Sequence, residues 1–242
     1  INSGIEALRS INQESLFEKF LKGCSINNNG ILIKNNLFSG SGPAQPFLDY
    51  ALLSLIAFAP EKTNLDKSLK IASIKILSLQ NVHKCDFIKQ FISVTSLDMS
   101  CCNVLECIND LANLTNLTSL NLKGCYGLQN VDSLANMTSL TELEVSSCDA
   151  LKNVDGLANL PNLIKLDLSN CNALENVDGL ANLTNLTSLN LYECHALKNV
   201  DGLASLTNLT SLDLSDCDVL ENVDGLANLT KLTSLDLRCC YS

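Results

Sequence analysis

Seven cysteines stand at an unbroken spacing of 23 residues: Cys102, Cys125, Cys148, Cys171, Cys194, Cys217 and Cys240. Neither a disulfide framework nor a metal site needs such regularity. A stacked repeat does, because each coil returns the same residue to the same slot. Self-similarity at a period of roughly 20–50 residues marks a solenoid. Function must therefore be sought on a repeated surface.

One repeat, Leu117 to Thr138, reads LTSLNLKGCYGLQNVDSLANMT. Its apolar residues are Leu117, Leu120, Leu122, Cys125, Leu128, Val131, Leu134 and Met137. The single step of two, Leu120 to Leu122, marks a short strand whose successive side chains take opposite faces. Steps of three elsewhere suit 3₁₀-like turns and bends, which bring every third residue inward. Such a coil cannot bury its apolar side alone, so coils must stack. Subtracting 23 carries the register back through Val94, Leu97, Met99 and Cys102 to Ile71, Ile74, Ile76 and Leu79, every slot still apolar. The spacing predicts seven full repeats, beginning at Ile71, Val94, Leu117, Leu140, Leu163, Leu186 and Leu209, and an eighth cut short from Leu232 to Ser242.

The pattern LxxLxLxxC, as in Leu186-Thr-Ser-Leu189-Asn-Leu191-Tyr-Glu-Cys194, resembles the leucine-rich repeat. The stretch NVDGLANLTNL, Asn176 to Leu186, resembles the bacterial internalins and the SDS22-like class. The resemblance implies an α/β solenoid: a right-handed superhelix with a parallel concave sheet and a short 3₁₀ or irregular convex side. It also implies a non-enzymatic module that binds a protein partner, with no cofactor and no metal. Two departures stand out. The ladder residue is Cys where internalin-like repeats use Asn, and Cys194-His-Ala-Leu197 is one residue longer than the common N/C-x-L spacing. The particular ligands of internalins therefore do not carry over.

The twelve cysteines suggest at first a secreted disulfide scaffold, but such scaffolds are short and lack a core. Strands about 4.8 Å apart bring neighbouring ladder cysteines within bridging distance. In an in-register stack, however, their Cα–Cβ bonds run parallel and do not point at each other, which disfavours bridging. Buried, reduced, structural thiols are expected, and they suit the cytoplasm or delivery into a host cell; a secreted or surface location stays open. Zinc at Cys101, Cys102 and Cys107 is disfavoured because CCxxxxC lacks a second ligand pair. Cys194 beside His195 is a poor nucleophile pair, since Cys194 must point into the core. No apolar run looks like a secretion signal, and Phe47 to Ala59 is too short to span a bilayer. The chain opens on Ile rather than Met, and the expectation is a fragment or a processed product.

Residues 1–70 carry no repeat. Helical spacing at Leu16, Phe17, Phe20 and Leu21 predicts a helix over Glu14 to Lys22. Phe47 to Ala59, bounded by Pro46 and Pro60, predicts a buried second one, with turns or loops at Asn27–Gly30 and Ser39–Pro43 between them. A helical N-terminal cap covering the first coil is the expectation, with a separate docking or effector role as the alternative.

Charge is uneven. Of the net −10, residues 71–242 carry nine Lys/Arg against twenty Asp/Glu, a balance that repels a phosphate backbone and favours a basic protein segment over nucleic acid. In LxxLxLxx the x positions face the concave side. The middle one forms a column of Lys75, Asp98, Asn121, Glu144, Asp167, Asn190, Asp213 and Asp236. This column is either polar filler or a stripe that steers a basic partner. The Thr and Ser residues just before it read as strand-compatible filler. Variation concentrates beside the cysteines: Lys123-Gly124-Tyr126, Ser146-Ser147-Asp149, Ser169-Asn170-Asn172, Tyr192-Glu193-His195, Ser215-Asp216-Asp218 and Arg238-Cys239-Tyr241. Tyr126, Tyr192 and Tyr241 are the candidate anchors, with Glu193, His195, Asp216 and Arg238 around them. Seven Asn-x-Thr motifs, at Asn113, Asn116, Asn136, Asn182, Asn185, Asn208 and Asn228, read as one turn copied by duplication.

The leading reading is a protein-binding module acting through its concave sheet and ascending edge. The alternatives are the targeting part of an effector or sensor whose activity lies outside this fragment, and a purely structural surface or assembly protein. The truncated last repeat leaves an open strand edge, so further sequence or self-association is expected there.

Overall fold

The step of two in each repeat is long enough for a strand of three residues, and that is what each coil contributes. The computed structural model describes residues 24–26, 31–34, 75–79, 85, 88–89 and 91–240. Eight strands run in chain order: β3 (Ile76–Ser78), β4 (Ser96–Asp98), β5 (Ser119–Asn121), β6 (Glu142–Glu144), β7 (Lys165–Asp167), β8 (Ser188–Asn190), β9 (Ser211–Asp213) and β10 (Ser234–Asp236). Each pairs in parallel with the next, so that Leu97, Leu120, Leu143, Leu166, Leu189, Leu212 and Leu235 lie in one row. Ahead of them β1 (Cys24–Ile26) and β2 (Ile31–Lys34) form an antiparallel hairpin whose second strand runs parallel to β3. The turns or loops expected at Asn27–Gly30 and Ser39–Pro43 lie outside the described residues. The helices expected at Glu14–Lys22 and Phe47–Ala59 lie outside the described residues, and what is described of residues 1–70 extends the sheet.

The first coil differs from the register obtained by subtraction. Leu77, not Ile74, pairs with Leu97, and the Leu79 N–H bonds the Asp98 carbonyl as the Met99 N–H bonds that of Asn121. From β3 to β4 the chain advances 20 residues. Because Ile71, Ile74 and Leu77 already fall every third residue, a shift of three leaves each slot apolar and goes unseen in the pattern. Ser78 thereby heads the concave column in place of Lys75, which occupies the position of Thr95.

On the convex side each coil returns through a 3₁₀ turn: Asn109–Asn113, Asp132–Asn136, Asp155–Leu157, Asp178–Leu180, Asp201–Leu203 and Asp224–Leu226. The Asn of each NVD sequence starts it. Asn153, Asn176, Asn199 and Asn222 accept from the N–H two residues on at 3.3, 3.3, 3.2 and 2.6 Å, the Asx geometry that lets a short side chain stand in for backbone. Packing there is closest at the glycines. A Cβ on Gly179 would lie 2.3 Å from the Val154 carbonyl oxygen, and one on Gly202 would lie 2.3 Å from that of Val177.

Between sheet and turns lies one continuous core, in which the Leu, Val and Cys slots of the interior coils are almost wholly buried. Burying each leucine contributes about 1.5–3 kcal/mol. The ladder cysteines are part of that core and also bond. The thiols of Cys125, Cys148, Cys171, Cys194, Cys217 and Cys240 donate to the carbonyls of Met99, Leu122, Val145, Leu168, Leu191 and Leu214 in the preceding coil, at 3.1–3.4 Å. A thiol thus does with one weak bond what an Asn amide would do with stronger ones. In the last coil the apolar slots open to solvent, with Val223, Leu235 and Leu237 exposed.

Gly179→Ala and Gly202→Ala should each cost about 1–3 kcal/mol by overpacking, read as a lower urea midpoint. Ser133 holds the same slot two coils before Gly179, its hydroxyl buried without a hydrogen-bond partner. Ser133→Gly should leave the midpoint unchanged or raise it.

Candidate interaction face

Two columns of side chains flank the buried leucine row and face the concavity. The leading column is Ser96, Ser119, Glu142, Lys165, Ser188, Ser211 and Ser234. The trailing one is Asp98, Asn121, Glu144, Asp167, Asn190, Asp213 and Asp236. From Ser96 to Asn190 they line a concavity of about 540 Å³ that holds four carboxylates against one ammonium.

The trailing column has a structural task that explains its alternation of Asp and Asn. Oδ1 of Asp98, Asn121, Asp167, Asn190, Asp213 and Asp236 accepts from the backbone N–H two residues on, at 2.9–3.0 Å. Either residue closes this turn, so fold sets the side-chain shape and leaves the charge free. Glu144 is the exception: its longer carboxylate instead takes the Ser146 hydroxyl at 3.2 Å and lies 3.5 Å from the Lys123 ammonium. At the last strand Arg238 forks onto Asp236, with Nη2 to Oδ2 at 2.6 Å. That side-chain hydrogen bond lowers the Asp236 pKa and raises that of Arg238.

The variable positions beside each cysteine have three distinct characters. Two before it, serine is buried (Ser146, Ser169, Ser215), Tyr192 is half-buried, and Lys123 and Arg238 are exposed. The Tyr192 hydroxyl donates to Glu193 Oε1 at 2.6 Å, which pushes its pKa up to about 12. One before the cysteine, the backbone is left-handed in every coil. Cys101, Ser147, Asn170, Glu193, Asp216 and Cys239 have φ of 56–60°, and only Gly124 takes that conformation without strain. From Cys101 to Asp216 the strain is held by the same N–H, which reaches across to the next coil, as Glu193 does to the Ser215 carbonyl at 3.0 Å. One after the cysteine, side chains pair between coils: Asn172 Nδ2 with Asp149 Oδ1 and His195 Nδ1 with Asp218 Oδ2, both at 2.9 Å. Tyr126 stands 49% exposed in this row, and Tyr241 lies outside the described residues.

Other repeated polar residues also bond between coils. The Thr95, Thr118, Thr141, Thr187, Thr210 and Thr233 hydroxyls each donate to the carbonyl at the same slot in the coil before, at 2.9–3.2 Å. These threonines are therefore a hydroxyl ladder rather than filler. Within the Asn-x-Thr motifs, Asn116, Asn185 and Asn208 donate Nδ2 to the carbonyls of Ile92, Pro161 and Thr184, while Asn113, Asn136, Asn182 and Asn228 are exposed. Sequence reasoning missed Glu142, Ile164 and Lys165, although the break they make in the Ser and Thr columns was available as a signal.

Burial is the leading cause that raises the thiol pKa at Cys148, Cys171, Cys194 and Cys217, and Cys171 and Cys217 are pushed up to about 12. At Cys125 the contact with Cys102 leads and burial follows. These thiols stay protonated and are neither nucleophiles nor ready metal ligands. Exposed thiols belong to Cys101, Cys107 and Cys239. Among the described residues no group of three or more His, Cys, Asp or Glu is placed to hold a metal ion, and no helix is long and apolar enough to cross a membrane.

Comparison with known proteins places this geometry. Residues 154–239 match the family described as Zer-1-like, leucine-rich repeats. Internalin C2 from Listeria monocytogenes superposes with a TM-score of 0.51 at 26% identity, over 80% of this chain and 95% of that one. A leucine-rich-repeat protein of Leptospira interrogans superposes with a TM-score of 0.62 at 25% identity, over 73% of this chain and 46% of that one. No curated protein sequence matches.

Two outcomes follow from this chemistry. In the fold the Cys171 thiol binds its proton more tightly than the ordinary 9.0. Its contribution is therefore full below about pH 9 and falls as pH rises toward 12. Urea midpoints should drop through that window, and Cys171→Ala should flatten the slope by up to about 1.4 kcal/mol per pH unit. Glu193→Gly should stabilise by about 0.5–1 kcal/mol, the left-handed penalty of about 1–2 less glycine's greater entropy loss, seen as a higher melting temperature.

Proposed function

We propose that this leucine-rich-repeat solenoid takes a basic segment of a partner protein along its concave sheet and the ascending edge where the strands leave it. Leucine-rich-repeat solenoids are in general protein-interaction modules, and the observation that carries the reading here is the composition of the concave face. Neighbouring strands consume the inner sheet's backbone hydrogen bonds, so the sheet offers a partner side chains alone. Those side chains form two continuous columns, which from Ser96 to Asn190 hold four carboxylates to one ammonium. Such a field raises the encounter rate with a cationic segment and repels phosphate. On the ascending edge Tyr126, Tyr192, Glu193, His195, Asp216 and Arg238 are at least partly exposed and supply anchors beside the charged floor. Reduced, protonated ladder thiols suit a reducing compartment.

The capping geometry makes a clean test available. In Asp98→Asn/Asp167→Asn/Asp213→Asn each new amide keeps its turn closed, as Asn121 and Asn190 already do, while three charges are removed. The variant should melt within a few degrees of the parent, since beyond the caps only the long contacts of Asp98 Oδ2 with Ser78 and of Asp167 Oδ2 with Asn190, both 3.3 Å, are altered. Its association with an arginine- and lysine-rich peptide, followed by fluorescence anisotropy, should slow by about tenfold or more and lose its steep salt dependence. Unchanged kinetics would reject recognition by the concave face.

A further inference from the structure

Against columns that repeat almost unchanged, two adjacent strands depart together. The serine column is interrupted by Glu142 and Lys165, which lie opposite each other on β6 and β7 and pair at 2.8 Å. In the trailing column Glu144 replaces Asp or Asn and gives up the backbone cap that Asp98, Asn121, Asp167, Asn190, Asp213 and Asp236 make. Where the other coils from Thr95 onward place a threonine, Ile164 breaks the hydroxyl ladder between Thr141 and Thr187 and stands 41% exposed.

Each of these four residues abandons a local bond, or a small neutral side chain, that the neighbouring coils keep in the same slot. None is explained by the core, since the buried Leu143 and Leu166 between them are the ordinary residues of the row. The Glu142–Lys165 pair is 51% and 63% exposed, where an ion pair adds little to stability. Its stronger effect is on a partner, through charges that must be matched in order and that reject a segment of the wrong sequence. Beside it an exposed isoleucine within a polar rim has the makings of an interface anchor.

We infer that Glu142, Glu144 and Lys165 on the concave face, with Ile164 on the rim where the chain enters β7, form the specificity-determining patch, and that its occupant is an extended protein segment presenting an apolar side chain to Ile164 next to a lysine or arginine for Glu144. This inference rests on the proposed protein-binding function and assigns its selectivity. The basic residue follows from the charge of the surrounding floor: its one lining ammonium, Lys165, is engaged by Glu142 at 2.8 Å, and Glu144 has only the looser, exposed Lys123 ammonium at 3.5 Å, which an incoming cation can displace.

The neighbouring coils supply the control. Glu142→Ser, Glu144→Asp, Ile164→Thr and Lys165→Ser, combined, return each slot to a residue the stack already accommodates, so the quadruple variant should melt at or above the parent's temperature. A displayed library of random peptides, selected on the parent and depleted on the quadruple variant, should enrich sequences that join an apolar residue to Lys or Arg. One such peptide, synthesised, should bind the variant at least about tenfold more weakly, the scale of a single well-made contact. Enrichment of sequences without a basic residue, equal binding to both proteins, or no enrichment would overturn the assignment, as would displacement of the peptide by a single-stranded oligonucleotide. A peptide that ignores the quadruple change but weakens on Asp98→Asn/Asp167→Asn/Asp213→Asn leaves the concave reading standing and rejects the patch. A peptide that ignores both rejects both.

Discussion

Parallel backbone pairing between successive coils is the constraint from which the rest of the molecule follows. It holds strands at about 4.8 Å and sets each residue on its counterpart 23 positions away. A slot is therefore acceptable only if the same residue can stack on itself. Leucine does so by packing, threonine by passing a hydroxyl bond from coil to coil, and asparagine by reaching back to the carbonyl of the coil before. Glycine is required where backbones nearly touch, as at Gly179 against Val154. Cysteine satisfies two demands at once, filling a small buried space and donating to a carbonyl.

That arrangement separates the fold of the concave face from its charge. Asp213 and Asn190 hold the same turn with the same oxygen, so exchanging one for the other alters the field over the sheet without disturbing the strand beneath. The acidity of the column is thus compatible with a purely structural origin. What exceeds structural need is clearest at Glu142, Glu144, Ile164 and Lys165: Glu144 and Ile164 give up bonds that their slots provide in neighbouring coils, and Glu142 and Lys165 replace small neutral serines. The ascending edge shows a different economy, since its left-handed backbone at Ser147 and Glu193 is maintained by a main-chain bond to the next coil.

Most of this architecture was legible from spacing. The step of two located every strand from β4 onward, and the cysteine period predicted which residues would be buried. The N-terminal boundary was not legible in the same way. A run of apolar residues every third position, Ile71, Ile74 and Leu77, accepts a slide of three without exposing anything, and only backbone pairing of Leu77 with Leu97 decides it. Among the candidate site residues, the concave positions of Asp98 through Asp236 followed from alternation. The division of the cysteine neighbours into buried, left-handed and paired rows did not, because sequence variation looks alike whether it arises from burial, backbone strain or exposure.

The sequence by itself determined the repeat, its strand positions and its inward-facing ladder, because periodicity is a property of one chain read along its length. The tertiary structure alone decided what each polar residue does: that Asp98 closes a turn, that Thr118 bonds its predecessor's carbonyl, and that Asn116 reaches the Ile92 carbonyl. Those roles depend on which atoms lie within about 3 Å, and for most of them the neighbour is the next coil rather than the next residue.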